Sequence, residues 1–218
     1  ADGLRKPRNM IEADVYEAAV AGASRAYGTA GTTPFNTKDD MSDLANVQGI
    51  LDLNGAPETN RSIILSPSAK INLLSKQMNM IKVNESGSAE TLRSGIIMPT
   101  YGFNVRTSAG CKKVAASAGS GYTVNGTVAV GAKEIPVDAG SGAIKAGDIV
   151  TFAGDDNKYI AGEGSTSTKL VLNPVGVVAA PADDAAITLG ATPYIASVAM
   201  HRNAVALAIR PPAVPKRG

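Results

Sequence analysis

One histidine, His201, sets the upper limit on nucleophilic chemistry in this chain. A serine hydrolase needs an imidazole within hydrogen-bond reach of the attacking hydroxyl, and Ser66 is a partner to weigh. No Gly-x-Ser-x-Gly elbow precedes His201, so the residues favour a structural histidine. The count alone excludes a conventional multi-histidine zinc site. Gly140-Ser141-Gly142-Ala143-Ile144-Lys145 has part of the pattern of a phosphate-cradling loop. It lacks the Gly-Lys-Ser/Thr ending, and no helical pattern follows to offer N-terminal amides, so a hairpin turn is predicted there. Asp155-Asp156-Asn157 offers oxygens to a hard cation, but the glycine and the distal glutamate of a calcium loop are missing, which leaves a surface turn. In Asp183-Asp184, carboxylates adjacent in sequence diverge rather than share a proton, so no acid/base dyad is assigned. Lys112-Lys113 and Lys216-Arg217 have no interleaved aromatic residues on which bases could stack, and both pairs read as solvated. No catalytic residue, cofactor or metal ligand is therefore expected.

The elements that would carry these residues belong to an ordinary globular chain. Of 218 residues, 44% are hydrophobic, 18% charged and 4% aromatic, enough to fill one large domain or two small ones with Ala and Val rather than rings. With 21 basic residues against 19 acidic ones the net charge is +2, and no global field draws the chain to nucleic acid or an anionic membrane. No stretch approaches the roughly 20 apolar residues that cross a bilayer, and the start lacks the apolar core of a signal peptide. The single cysteine, Cys111, suits a reducing compartment and a cytosolic setting.

Ile11, Val15, Ala18, Gly22 and Ala26 recur at helical spacing and predict a helix from Met10 to Tyr27, with Asn9 as N-cap, Gly28 as terminator and Asp14, Glu17 and Arg25 on a solvated face. A second helix is predicted from Ser42 to Asn54 through Leu44, Val47 and Leu51. A strand at Arg61 to Leu65 then leads through Ser66-Pro67 into a third helix containing Ile71, Leu73 and Leu74. A polar loop from Asn84 to Ser88 and a β-prone stretch from Ile96 to Val105 complete this mixed half.

From Ala115 to Thr188 the helical period vanishes. Six short runs, Thr127 to Val130, Glu134 to Val137, Asp148 to Phe152, Lys158 to Ile160, Lys169 to Leu172 and Ala186 to Leu189, are separated by turn residues and predict a small antiparallel barrel or sandwich. It reads as an insertion, because Ala- and Val-rich sequence resumes at Pro193 to Ile209. The end, Arg210 to Arg217, carries three prolines and is expected to be extended.

Five segments carry a family resemblance. They are Ala26-Tyr-Gly-Thr-Ala-Gly-Thr-Thr-Pro-Phe35; Asn54-Gly-Ala-Pro-Glu-Thr-Asn-Arg-Ser-Ile-Ile-Leu-Ser-Pro67; Leu92 to Val105 with its Gly102-Phe103; Ile144-Lys-Ala-Gly-Asp-Ile-Val-Thr-Phe-Ala-Gly154; and His201 to Ala208. In this order they resemble the major capsid (coat) proteins of short-tailed bacteriophages. That resemblance implies an α+β tailed-phage capsid fold, with peripheral and axial domains, a spine helix and an inserted small antiparallel β-barrel. It places the spine helix and part of the peripheral domain at 1–36, the axial domain at 37–110, the inserted β domain at 111–190 and the return to the axial and peripheral domains at 191–218.

By the same resemblance the chain is a structural subunit of an icosahedral capsid, assembled in the host cytoplasm and resident in the virion. Its partners would be other copies of itself in capsomers, together with scaffolding and portal proteins. Packaged DNA would be met only nonspecifically, and a membrane not at all. The family's N-terminal arm and long hairpin do not stand before Asn9, and the chain opens on Ala1. The expectation is a chain truncated at its N-terminus, which stays monomeric or weakly associated. Asp155, Asp156, Lys158, Asp183 and Asp184 are the residues expected to meet a neighbouring subunit electrostatically. Two alternatives remain open: a cell-surface adhesin or carbohydrate-binding β module, for which Tyr122, Phe152 and Tyr159 are the available rings, and the Ser66/His201 hydrolase.

Overall fold

The computed structural model describes residues 2–78, 82–87 and 89–207. Its elements run α1 (Asp2–Ala21), β1 (Arg25–Ala26), α2 (Ser42–Leu53), β2 (Arg61–Leu65), α3 (Pro67–Lys76), α4 (Val83–Ser86), α5 (Glu90–Ser94), β3 (Phe103–Thr107), β4 (Tyr122–Val124), β5 (Glu134–Asp138), β6 (Ile149–Phe152), β7 (Lys158–Ile160), β8 (Lys169–Val171), β9 (Ala186–Leu189) and β10 (Val198–His201). The chain is mixed α+β, as expected, with two sheets.

The smaller sheet has the order β10-β2-β3, with β10 antiparallel and β3 parallel to the central β2. Side chains alternate along a strand, so β2 sends Ile63 and Leu65 to one face and Ile64 to the other. Ile63 and Leu65 join Phe35, Leu44, Ala69, Leu73, Ile97 and Phe103 in one core, which takes in α2 and α3. Ile64 packs instead against Tyr16 and Val20 of α1, beside Cys111 and Val198. The sheet is thus a middle layer with helices on both sides, the arrangement that hides both of its apolar faces. Full burial of a side chain such as Leu65, which is 0% exposed, contributes about 1.5–3 kcal/mol.

The helix ends depart from expectation at α1. Asn9 lies inside this helix rather than capping it, and Pro7 withdraws only one ladder hydrogen bond. The helix stops at Ala21, so Gly28 does not terminate it, and Arg25 and Ala26 become a strand. The buried stripe is Ala13, Tyr16 and Val20, while Ile11 and Ala18 are exposed. Tyr16 can sit on the core face because its hydroxyl donates to the Ala196 carbonyl at 3.0 Å and accepts from the Ala196 amide at 2.9 Å. Burial pushes the Tyr16 phenol up to about 12. Asp14 and Glu17 are exposed as read, but Arg25 is half-buried and donates to the Asn157 side chain.

At α3 the local signals act as written in the residues. The Ser66 hydroxyl accepts from the Ala69 amide at 3.2 Å, and Pro67 occupies the first helical position, where its missing amide costs nothing. Leu73 is buried, whereas Ile71 is exposed. The predicted loop around Asn84 holds one helical turn, and Ser88 lies outside the described residues. The stretch 96–105 becomes a strand only from Phe103, because Tyr101 and Gly102 take positive φ values of 50° and 74° in a tight turn between Thr100 and Phe103. Arg210 to Arg217 lie outside the described residues.

The larger sheet has the order β1-β7-β6-β9-β4-β5-β8, antiparallel throughout. It closes on itself, because Ala161 beyond β7 bridges Leu172 beyond β8 and the Gly162 amide donates to the Val171 carbonyl at 2.8 Å. Six strands, β4 to β9, therefore form a barrel. The alternation that built the prediction is visible in β5, where Ile135 and Val137 face in and Glu134, Pro136 and Asp138 face out. The core, including Tyr122, Val150, Leu170 and Ile187, is drawn wholly from residues between Tyr122 and Leu189.

Two segments of this half differ from expectation. Thr127 to Val130 is not a strand: positive φ values at Gly126 and Gly131 bracket it as a turn, and the strand is Tyr122–Val124 instead. Residues 140–145 are not a hairpin, since β5 and β6 are not neighbours; the segment crosses from one to the other and is pinned by mutual backbone bonds between Ser120 and Ser141. The chain leaves the small sheet after β3, builds the barrel, and returns as β10 on the other side of β2.

Candidate subunit-contact surface

The five residues expected to make electrostatic contacts divide into two kinds. The β6–β7 turn and the loop before β9 lie at one end of the barrel, since the Ala153 amide donates to the Ala186 carbonyl at 2.9 Å. Asp155 is half-buried and occupied: it accepts from the Asn157 amide at 2.9 Å, the Asn157 side chain at 2.5 Å and the Tyr159 hydroxyl at 2.6 Å. Lys158 donates to the Gly28 carbonyl. Asp183 is exposed, yet one carboxylate oxygen accepts from the Gly126 amide at 2.7 Å and from the Asp184 amide at 3.1 Å. These three side chains hold the chain's own turns. Asp156 and Asp184 are exposed, and their side chains hold no such turn among the described residues.

A second surface was not legible as one. Leu92, Ile96, Met98 and Tyr101 are 64%, 61%, 43% and 45% exposed within a ten-residue stretch. Its geometry follows from local rules. Gly95 ends α5 at φ 65°, the following chain is irregular, and Ile97 turns inward to the core. Ile96 and Met98 are thereby left facing out, and the turn at Tyr101-Gly102 presents the ring. Isolated exposed apolar side chains are ordinary, but four large ones on one short segment make it a candidate contact surface.

The alternative sites come apart in the structure. Ser66 is 1% exposed and committed to capping α3. His201 pairs across from Arg61, five residues before Ser66 along β2, or roughly 16 Å at strand rise. Its imidazole accepts from the Asn203 amide at 3.3 Å. Tyr122, Phe152 and Tyr159 are 1%, 2% and 0% exposed, and the last two meet edge-to-face at 5.5 Å in the barrel core, so none offers a face to a sugar. Among the described residues no group of three His, Cys, Asp or Glu side chains is placed to hold a metal ion, and no helix is long and apolar enough to cross a membrane.

A cleft of about 710 Å³ runs between the two halves of the chain, lined by the end of α1, the segment after it, α2, β10 and barrel residues Ile149 and Ile160. Tyr194 at its wall donates to the Gly147 carbonyl at 2.8 Å, and burial pushes its phenol up to about 12.

No family model matches the chain, and no curated protein matches it. Among solved structures, a chain from Mycobacterium phage Che8 is similar at 15% identity and a TM-score of 0.46, over 81% of this chain. This chain spans 60% of the length of that one.

Proposed function

We propose that this protein is a non-catalytic structural subunit of a tailed-phage capsid, which associates with copies of itself and resides in the virion. The observation that carries the reading is topological. A closed barrel with its own core is spliced between β3 and β10, the two strands that flank β2, and the five segments that resemble phage coat proteins lie in the same order on this frame. A shell subunit needs several moderate self-contacts rather than one reactive centre. The exposed stretch from Leu92 to Tyr101 supplies an apolar one, and Asp156 and Asp184 supply charge at the barrel's end. The carbohydrate-binding alternative is disfavoured by the burial of its three rings.

The double variant Ile96→Asp/Met98→Asp tests the reading in protein expressed from its own gene. Both side chains are exposed, so stability should change by no more than about 0.5 kcal/mol, while sedimentation should show loss of the self-associated species. A companion variant with Asp156→Lys and Asp184→Lys should weaken association most at low salt, where exposed charges are least screened. Wild-type sedimentation by both variants would remove these surfaces from the account.

A further inference from the structure

The barrel is attached to the rest of the chain at two places of unlike character. One is a neck, where Val114 and Tyr194 exchange both backbone hydrogen bonds, at 2.8 and 3.1 Å, and the Tyr194 hydroxyl donates to the Gly147 carbonyl at 2.8 Å, next to the apolar cluster of Tyr16, Val20 and Cys111. The other is the segment 21–28. From the barrel side, the Asn173 side chain donates to the carbonyls of Ala21 at 2.6 Å and Ala23 at 2.9 Å, capping the end of α1. The two-residue β1 pairs with β7, Arg25 donates to Asn157, and Lys158 donates to the Gly28 carbonyl. From the other side, α2 reaches the same segment through Asn54 to the Ser24 hydroxyl at 3.2 Å and Asn46 to the Tyr27 hydroxyl at 3.0 Å.

These attachments are polar, and residues 21–28 are all half-buried or exposed. Each contributes little net, because water replaces it when it breaks. The segment is also flanked by space. The larger cleft borders it, and a second cavity of about 540 Å³ lies between α2 residues Gly49 and Leu53 and the barrel turn at Asp156 and Asn157. The strand pairing has a matching design. Along the edge of β7, Ala161 closes the barrel while Lys158 and Tyr159 pair with β1, so β1 occupies the part of the edge that barrel closure does not use. The barrel's core draws nothing from segment 21–28.

We infer that segment 21–28 is a releasable latch, and that the barrel pivots as one body on the Val114/Tyr194 neck when β1 leaves β7. Local opening falls where apolar burial is least, and here that is the latch rather than the neck or the barrel. Release lets the two cavities on either side of the segment widen together, which changes the pitch of the barrel against α1 and α2 without unfolding either half. This inference stands on the attachment geometry alone and does not depend on the capsid reading.

Native-state hydrogen exchange of the whole chain tests it. Amides of segment 21–28 should exchange through an opening at least about tenfold more frequent than that of the amides of β4, β6 and β9. Asn173→Ala, which removes two hydrogen bonds, should accelerate exchange in segment 21–28 by about tenfold and leave those barrel strands within about twofold. Spin labels at Leu53→Cys and Asp156→Cys, with the buried Cys111 left in place, span the second cavity. Their distance distribution should gain a longer population on adding Asn173→Ala. The inference is overturned if segment 21–28 and the barrel strands exchange at one common rate in the unmodified chain, or if the label distance keeps a single unchanged population. The first readout needs no substitution, so poor folding of the variant does not shield the claim.

Discussion

Replacing Gly142 with alanine should destabilise the protein by about 3 kcal/mol, because the new methyl group would meet backbone rather than a side chain that can move. Gly142 has φ +82°, and a Cβ there would stand 2.0 Å from the Ala118 carbonyl oxygen and 2.8 Å from its carbon. The left-handed conformation alone costs a non-glycine residue about 1–2 kcal/mol. The rest of the cost comes from parting two segments that cannot separate freely. Ser120 and Ser141 exchange backbone bonds at 2.9 and 3.0 Å, and the Tyr122 hydroxyl donates to the Gly142 carbonyl at 2.5 Å. Equilibrium denaturation reads the loss. Gly154→Ala is the matched control, since Gly154 has φ +85° but nothing within 4 Å of its added Cβ, and it should lose only the conformational part. Equal losses at the two sites would mean that the contact with Ala118 relaxes and that the crossing from β5 to β6 is not tightly packed.

Arg61 should show a loss of similar size in the other half of the molecule. Its side chain is 1% exposed, and each guanidinium nitrogen has a partner: Nη1 an ion pair with Asp52 at 2.6 Å, Nε a hydrogen bond to the Pro57 carbonyl at 2.8 Å and Nη2 another to the Ala56 carbonyl at 2.6 Å. Arg61→Ala removes the donors of two carbonyls and empties the volume of a long side chain beneath the loop joining α2 to β2. The expected cost is about 3–4 kcal/mol, from the emptied volume and the two carbonyls left without their donors. Asp52 is 47% exposed, so Asp52→Asn should cost no more than about 1 kcal/mol. The contrast between the two substitutions, read as denaturation midpoints, checks that the packed side chain and its two carbonyl bonds, rather than the ion pair, make Arg61 important.

Strands with strict alternation, such as Glu134–Asp138, and the Ser66-Pro67 helix start were legible because their causes are local. The first helix was read on the wrong face because the pattern was taken from aliphatic and small residues. Tyr16 belongs to the core only because the Ala196 backbone, 180 residues away, satisfies its hydroxyl. Arg25 and Ala26 continued a helical spacing, yet β7 captures them as a strand, a long-range pairing that no local window contains. The candidate contact residues divide into two kinds for a related reason. Acidic turns look free in sequence, but Asp155 and Asp183 are consumed by the turns they sit in. Ile96, Met98 and Tyr101 were hidden within the β-prone stretch from Ile96 to Val105, in which the strand begins only at Phe103.

Electron microscopy of the protein expressed from its own gene, at concentrations where it self-associates, tests the central claim most directly. The capsid-subunit account predicts closed particles of uniform size built from repeated copies of that gene product, lost when it carries Ile96→Asp/Met98→Asp. A sample that stays a single monodisperse monomer at every concentration and salt condition, with or without those substitutions, would contradict it.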